Sequence, residues 1–150
     1  MKIVIQRVKQ SSVTIDGEVH GQIGQGFMTL VGFCETDTKD IVDKMVDKMI
    51  GLRIFEDENG KMNLSLQDVQ GQILSISQFT LYANCRKGRR PSFIAAAKPD
   101  LAIPLYDYYN EKITQCLGHV ETGIFGADMK VDLLNDGPVT IILDSDEICA

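Results

Sequence analysis

Between residues 39 and 50, apolar side chains recur with α-helical spacing, and no other pattern in this chain constrains the fold as strongly. They fall at i, i+1, i+4, i+5, i+8 and i+9, and charged residues occupy the opposite face. A helix with one apolar side needs a second layer to cover it, so we expect it to lie on a sheet with its charges in water. We expect Thr36 or Asp37 to cap its start and Gly51 to end it in a left-handed conformation. The apolar positions are Ile41, Val42, Met45, Val46, Met49 and Ile50.

Alternating or continuous apolar segments predict β-strands along much of the remaining chain. The Asp16-Gly17 pair lies between alternating apolar residues and is typical of a two-residue hairpin turn. A second such pair, Asp136-Gly137, predicts that the last two strands form another hairpin. The predicted extended segments are residues 2–9, the hairpin 11–23, and residues 27–33, 52–55, 72–82, 127–134 and 138–144.

A second helical region is expected over residues 92–117. Pro99 and Pro104 interrupt it, so we expect a break or kink before Leu105. Gly118 is a plausible terminator. This order of elements predicts an α+β fold, with a largely antiparallel, barrel-like sheet and the helices on one side.

Length and composition are those of one ordinary globular domain, which we place over residues 1–150. Hydrophobic residues make up 44% and charged residues 24% of the chain, which excludes a disordered protein. The cysteines and histidines are scattered without the spacing of metal ligands, so we expect no metal site and a reducing cytoplasm as the location. We also expect no cofactor, since no glycine-rich nucleotide loop is present, and no membrane span.

Positive charge is concentrated in one short segment, although the net charge of the chain is −6. No acidic residue occurs between Asn84 and Phe93. Such a segment can attract phosphate locally while the rest of the surface repels it. A solvated loop is an equally weighted interpretation of the same charges. The four cations are Arg86, Lys87, Arg89 and Arg90.

The predicted strand 72–82 would place Gln78, Thr80 and Tyr82 on one face. An amide, a hydroxyl and a phenol on one strand face must find hydrogen-bond partners, face water or cover a polar cleft. Judged only by the alternation of side chains along the strand, a strand with one face in water is the more common arrangement. The floor of a binding site is the alternative, and the cation segment that follows within four residues of Tyr82 favours it.

Two further features have a structural and a functional interpretation. Pro138 directly follows the turn residue Gly137, where it removes a donor from the strand ladder, and a Gly-Pro bond can be cis at small cost. Arg7 shares a strand face with Ile3 and Ile5. Its guanidinium either extends to water at the strand end, which residue patterns favour, or is held among carbonyl acceptors. No histidine or carboxylate lies in the sequence context of a catalytic triad.

Three motifs in order give the chain a resemblance to the D-aminoacyl-tRNA deacylase family. The residues around Ile5-Gln6-Arg7-Val8 and Phe125-Gly126-Ala127-Asp128-Met129 also fit, and the resemblance covers about residues 1–145. The motifs are Ser77-Gln78-Phe79-Thr80, Cys85-Arg86-Lys87-Gly88-Arg89-Arg90-Pro91-Ser92-Phe93 and Asn135-x-Gly137-Pro138-x-Thr140.

This resemblance implies an enzyme that hydrolyses the ester between a D-amino acid and the terminal adenosine of tRNA, with glycyl-tRNA as a further substrate. It implies a homodimer in which a Gly137–cis-Pro138 element of one subunit enters the partner's active site and rejects L-amino acids, with Arg7 as its brace. The remaining implied roles are a catalytic floor of Ser77, Gln78, Phe79 and Thr80, tRNA contacts from Arg86, Lys87, Arg89 and Arg90, and an adenosine pocket with Phe125 and Met129.

The identity of the group that attacks the ester stays open at this point. Thr80 has the chemistry of a nucleophile but no base beside it in the sequence, whereas water activated by the neighbouring ribose hydroxyl needs no protein base. Two other functional classes also remain: a non-catalytic RNA- or phosphate-binding module, and a plain hydrolase of small esters for which the cation segment would be idle.

Overall fold

The computed structural model describes all residues from 1 to 150. The strands are β1 (Lys2–Ile15), β2 (Glu18–Ile23), β3 (Gly26–Gly32), β4 (Phe55–Glu56), β5 (Met62–Leu64), β6 (Gln72–Ser77), β7 (Glu121–Thr122) and β8 (Lys130–Asp144). The helices are α1 (Lys39–Gly51), α2 (Pro99–Leu117), α3 (Ser145–Ile148) and a 3₁₀ helix (Phe79–Tyr82).

Strand β1 organises the sheet because it pairs antiparallel with β2, β3 and β8. Strands β6 and β7 extend the sheet from β3 in parallel pairs, and β4 and β5 form a separate two-stranded ribbon. The sheet curves into a nearly closed barrel, so the predicted α+β fold with a mostly antiparallel, barrel-like sheet is confirmed. Alternation along single strands did not reveal the two parallel pairs.

The two long helices share one apolar core with the sheet. Val42, Met45 and Met49 of α1 and Leu105 and Ile113 of α2 are buried in it. Replacing one of these side chains by alanine costs about 2–5 kcal/mol in comparable cores. A smaller cluster lies apart from this core and consists of Val8, Val13, Ile23, Met28, Leu74 and Ile76.

Two buried tyrosines attach α2 to the strands that lead to the candidate site. The Tyr106 hydroxyl donates to the Ser75 carbonyl oxygen at 2.8 Å, and the Tyr109 hydroxyl lies 2.9 Å from Thr29 Oγ1. Burial raises the pKa of both tyrosines, so both remain neutral hydrogen-bonding groups. These bonds hold β6 in place just before its last residue, Ser77.

Helix α1 forms as predicted, but its ends differ from the prediction. Thr38 is the cap, because its side chain accepts from the Ile41 N–H, while Asp37 is buried and pairs with the Met1 amino group at 2.8 Å. Gly51 is the last helical residue, and Leu52 follows it in an extended conformation with a ψ of 132°. The ion pair between Asp37 and Met1 joins residues that are distant in sequence, and capping rules consider only neighbouring residues.

Helix α2 starts at Pro99, so the predicted start near residue 92 is wrong. It continues through Pro104, so the chain does not break before Leu105, and a kink there stays a prediction. Proline is well tolerated in a first helical turn, where backbone N–H groups lack helical partners. Pro104 lies on the exposed side of the helix, and the buried side chain of Leu105 packs in the core. Gly118 ends the helix with a left-handed φ of +85°, as expected.

The predicted strand 72–82 is too long, because β6 ends at Ser77 and the chain continues as the 3₁₀ helix. Its parallel partner β3 ends at Gly32, and the last ladder pair joins Val31 to Ser77. Beyond that pair no neighbouring strand holds the chain extended. The predicted common face of Gln78, Thr80 and Tyr82 is therefore wrong.

The predicted hairpin across residues 135–137 is also wrong, because β8 is one strand that pairs with β1 along most of its length. Between the pairs Val8–Asn135 and Gln6–Thr140, β1 contributes one residue and β8 contributes four. Residues 136–139 therefore bulge out of the ladder, and we call them the β8 bulge. The partner strand is long enough to hold both halves of β8, which the turn motif alone does not reveal.

Candidate active site

The segment after β6 is shaped by a close approach of two backbones. The Gln78 N–H donates to the Val31 carbonyl oxygen at 2.8 Å, and the 3₁₀ helix begins at the next residue. A Cβ at Gly32 would lie 2.7 Å from the Gln78 carbonyl oxygen, so only glycine fits there without a backbone shift. This packing turns residues 77–80 away from the sheet toward a cavity.

That cavity has a volume of about 240 Å³ and brings together two segments distant in sequence. Ser77, Gln78 and Phe79 form one side, and Phe125 and Met129 belong to the other. Residues from the predicted catalytic floor and from the predicted adenosine pocket therefore line the same cavity. Its remaining lining residues are Ile76, Gly126, Ala127 and Val131.

Thr80 has no base beside it. Its hydroxyl accepts a hydrogen bond from the Gln78 side-chain amide, and no histidine or carboxylate contacts it. Burial raises the pKa of the nearby Tyr82 far above neutrality, so its phenol stays protonated. The N–H groups of Phe79 and Thr80 open the 3₁₀ helix, where the first backbone N–H groups have no partner within the helix. The segment therefore offers backbone donors rather than an activated nucleophile.

The four cations lie on an exposed loop with a fixed base. Two backbone bonds between Asn84 and Ser92, of 2.7 and 2.9 Å, close the loop, and the Asn84 side chain accepts from the Arg86 N–H. Arg86, Lys87 and Arg90 border a cavity of about 550 Å³ with Asn84 and Ser92. No acidic side chain forms an ion pair with any cation of the loop, Arg89 included. Their charge is free to meet an anion.

Arg7 is buried and holds the β8 bulge. It is 4% exposed, its Nε donates to the Asp136 carbonyl oxygen at 3.0 Å, and its Nη1 donates to the Ile54 carbonyl oxygen at 2.7 Å. The interpretation in which Arg7 extends to water is therefore wrong. Two carboxylates add to the guanidinium environment, since Nε lies 3.7 Å from Asp136 Oδ2 and Nη2 lies 4.0 Å from Glu56 Oε1.

The tip of the bulge is exposed although its base is fixed. The Gly137–Pro138 peptide bond is cis, and Gly137 has a φ of +135°. A Cβ at Gly137 would lie 2.8 Å from Val139 Cγ2 and 3.1 Å from Arg7 Nη2, so glycine is required there. The Asn135 side chain accepts from the Val139 N–H at 2.8 Å and closes the bulge.

Comparison with known proteins shows the family of this chain. The sequence model described as D-Tyr-tRNA(Tyr) deacylase matches residues 4–144. The chain belongs to this deacylase family. A relative from Bacillus cytotoxicus named D-aminoacyl-tRNA deacylase is 59% identical over 145 residues, which cover 97% of this chain and 99% of the relative. A relative of the same name from Thermus aquaticus is 57% identical over 147 residues, covering 98% of this chain and 97% of the relative.

Two solved structures share the fold of this deacylase-family chain. The structure of the c-Myc DNA Unwinding Element Binding Protein is 41% identical, with a TM-score of 0.90 over 96% of this chain and 98% of that one. A probable eukaryotic D-amino acid tRNA deacylase is 18% identical, with a TM-score of 0.84 over 95% of this chain and 97% of that one, and supports the fold alone.

Within one chain, the structure does not bring all the candidate residues of the deacylase-family motifs together. Val131 borders the cavity and precedes Gly137 by six positions on β8, so the bulge tip lies about 20 Å along the strand from the cavity. Thr80 does not line the cavity and connects to it through Gln78.

Sequence reasoning missed the partners of Arg7, namely the Ile54 and Asp136 carbonyl oxygens and the Glu56 carboxylate. The one available signal was a guanidinium on an apolar strand face, which must find acceptors when buried. No helix in the structure has the length and apolar character needed to cross a membrane. No group of three or more His, Cys, Asp or Glu side chains lies close enough together to hold a metal ion.

Proposed function

We propose that this chain hydrolyses the ester bond of D-aminoacyl-tRNA and releases free tRNA and a D-amino acid. Family membership supports the reaction class. The structural observation that carries the proposal is the cavity beside residues 77–79, next to the first two N–H groups of the 3₁₀ helix. A loop of unpaired cations begins five residues after Phe79. A carbonyl that becomes an oxyanion and a phosphate-rich polymer are the ligands that these two features fit.

The chemistry needs no protein base. The terminal adenosine lies in the cavity against Phe125 and Met129, and the ester carbonyl faces the N–H groups of Phe79 and Thr80. The neighbouring ribose hydroxyl takes a proton from water as the water oxygen adds to the carbonyl carbon. The ester bond to ribose then breaks, and the neighbouring hydroxyl passes a proton to the departing ribose oxygen, which leaves as a hydroxyl group. Ser77 and Gln78 complete the floor, and the two N–H groups stabilise the developing negative charge.

A homodimer completes the site. The tip of the β8 bulge is exposed, its base is fixed by Arg7, and it lies about 20 Å along the strand from Val131 at the cavity of its own chain. We therefore assign Gly137 and Pro138 to the partner's cavity. The outer edge of β8 has no strand partner and exposes Leu134 and Ile142, which are 54% and 67% exposed and suit a contact with a second copy.

Selection for the D configuration is by rejection. Carbonyl oxygens of Gly137 and Pro138 crowd the side of the substrate Cα on which an L side chain lies, whereas a D side chain points away. Backbone atoms that exclude one configuration leave the identity of the accepted side chain open. Glycine has no side chain to exclude, so glycyl-tRNA is also a substrate.

The cation loop contacts the acceptor backbone of tRNA. Arg86, Lys87, Arg89 and Arg90 are exposed and free of ion pairs, and Arg and Lys at such positions bind phosphate oxygens. We place the reaction in the cytoplasm, which agrees with four cysteines that are all unpaired.

A binding module without ester cleavage is the second candidate. It is favoured by the cation loop and by the name of the 41% identical structure, the c-Myc DNA Unwinding Element Binding Protein. The cavity with the N–H groups beside it has no role in that candidate. A plain hydrolase of small esters leaves the cation loop without a role.

One set of incubations tests the proposal and its rivals. D-aminoacyl-tRNA, the matching L-aminoacyl-tRNA and glycyl-tRNA are mixed with the protein, and release of labelled amino acid is measured. We expect release from the D and glycyl substrates and none from the L substrate. The variant Ala127→Trp fills the cavity and should release nothing. Binding without release would support the module, and equal release from both mirror-image substrates would contradict the filter.

A further inference from the structure

Phe79 and Phe93 pack against each other at the surface, beside the cavity. Their ring centroids are 5.2 Å apart, with an interplanar angle of 73°, which is an edge-to-face contact. Phe79 is 54% exposed and Phe93 is 38% exposed. The pair is therefore held in place by its mutual contact and still presents ring surface to a ligand.

The contact between the two rings joins residues at the two cavities of the candidate site. Phe79 lines the cavity of about 240 Å³. Phe93 directly follows Ser92, which borders the cavity of about 550 Å³ and forms the fixed base of the cation loop with Asn84. The two rings therefore connect the wall of the smaller cavity to the base of the cation loop.

We infer that the Phe79–Phe93 pair is a stacking platform for the unpaired nucleobase that precedes the terminal adenosine of tRNA. This inference rests on the proposed function, which places the terminal adenosine in the cavity and the acceptor phosphates at the cation loop. Exposed aromatic rings beside unpaired cations are the common means of binding single-stranded nucleic acid. Every base has a π face, so the platform accepts any base at that position.

The stack contributes to binding and takes no part in the reaction. It holds the bound substrate and the transition state equally, so its loss raises KM and leaves kcat unchanged. It also fixes the direction in which the strand enters the cavity. The platform thereby distinguishes a tRNA end from a free aminoacyl-adenosine.

The test uses two tRNAs that differ at one position: the natural sequence, and one with an abasic residue directly before the terminal adenosine. Equilibrium binding of both uncharged tRNAs to the wild-type protein is measured first, because it is independent of ester cleavage. We expect the abasic tRNA to bind about 5- to 150-fold more weakly, which corresponds to the loss of one base stacked on an aromatic side chain. Equal affinities would overturn the inference.

Variants locate the effect on the protein. Phe93→Leu keeps an apolar side chain against Phe79 and removes the ring, so it should weaken binding of the natural tRNA by the same factor. Phe93→Leu should not weaken binding of the abasic tRNA any further. If the protein variant and the abasic residue weaken binding independently, so that their two factors multiply, the inference is overturned. Ile94→Ala is the matched control, because Ile94 is 90% exposed and has no ring, and it should change neither affinity.

Hydrolysis of D-aminoacyl forms of both tRNAs separates this inference from the proposed function. A raised KM with unchanged kcat for the abasic substrate supports the platform. If wild type cleaves neither substrate, the proposed reaction fails, and the binding measurement still decides the platform.

Discussion

Single residues at the site act through the backbone more than through reactive side chains. Thr80 has only the Gln78 amide beside its hydroxyl, and the N–H groups of Phe79 and Thr80 open the 3₁₀ helix next to the cavity. Arg7 likewise acts on carbonyl oxygens, since it holds Asp136 just before the bulge tip. A site built from main-chain donors and acceptors tolerates many substrate side chains.

Thr80→Val tests whether the threonine hydroxyl reacts. Valine has nearly the same shape and no hydroxyl, so we expect turnover of D-aminoacyl-tRNA to remain near the wild-type rate. Removal of a true nucleophile costs about 10³-fold or more in kcat. The measurement is single-turnover release of the amino acid. A loss of that size, with activity restored in Thr80→Ser, would identify Thr80 as the nucleophile.

At the scale of elements, the cation loop and the 3₁₀ helix form one unit. The loop is closed by Asn84 and Ser92, and the Phe79–Phe93 contact joins it to the helix. The loop therefore presents its charges at a fixed place relative to the cavity.

Removal of two cations should reduce the salt dependence of tRNA binding. Each phosphate contact contributes about 0.7–0.9 to the slope of log K against log salt, so Arg89→Ala with Arg90→Ala should lower the slope by about 1.4–1.8. The control is Lys44→Ala with Lys48→Ala, which removes the same charge from the exposed side of α1 and should leave the slope unchanged. A slope that is the same in both double variants would contradict a role for the loop.

The sequence predicted those elements whose formation depends on local pattern. It failed where the end or the continuity of a strand depends on a neighbouring strand. The α1 periodicity and the Asp16-Gly17 turn were sufficient, because a helix face and a two-residue turn are local. The end of β6 depends on where β3 ends, and the continuity of β8 depends on the length of β1.

For the candidate site too, the sequence indicated single residues but not the contacts between distant parts of the chain. Its motif residues were found from the sequence, but their grouping was not, since Arg7 bonds to carbonyls 47 and 129 positions away. The cavity similarly joins the end of β6 to residues 125–131, which no spacing along the chain indicates. The Phe79–Phe93 contact also needed the structure, because only the bond between Asn84 and Ser92 brings the two ends of the cation loop together.

At the scale of the whole molecule, the separation of bulge and cavity determines the proposed assembly. The exposed tip at Gly137 lies about 20 Å along β8 from the cavity residue Val131, and we propose that a second chain supplies the bulge to each cavity. Each copy then carries a substrate cavity and a filter for its partner. Stereoselectivity becomes a property of the dimer.

Heterodimers made from two variants test this claim most directly. One chain carries Ala127→Trp, which fills its cavity and leaves its bulge intact. The other carries Gly137→Ala, which displaces its bulge because the new Cβ would lie 2.8 Å from Val139 Cγ2, and leaves its cavity intact. Heterodimers are isolated through two different affinity tags, and release from D- and L-aminoacyl-tRNA is measured, with Gly137→Ala homodimers as the control.

In such a heterodimer the open cavity faces the intact bulge of the partner chain. We expect it to cleave the D substrate and spare the L substrate, while the Gly137→Ala homodimer cleaves both. The heterodimer could instead cleave the L substrate at the same rate per open cavity as the Gly137→Ala homodimer. That result would contradict a filter supplied by the partner chain.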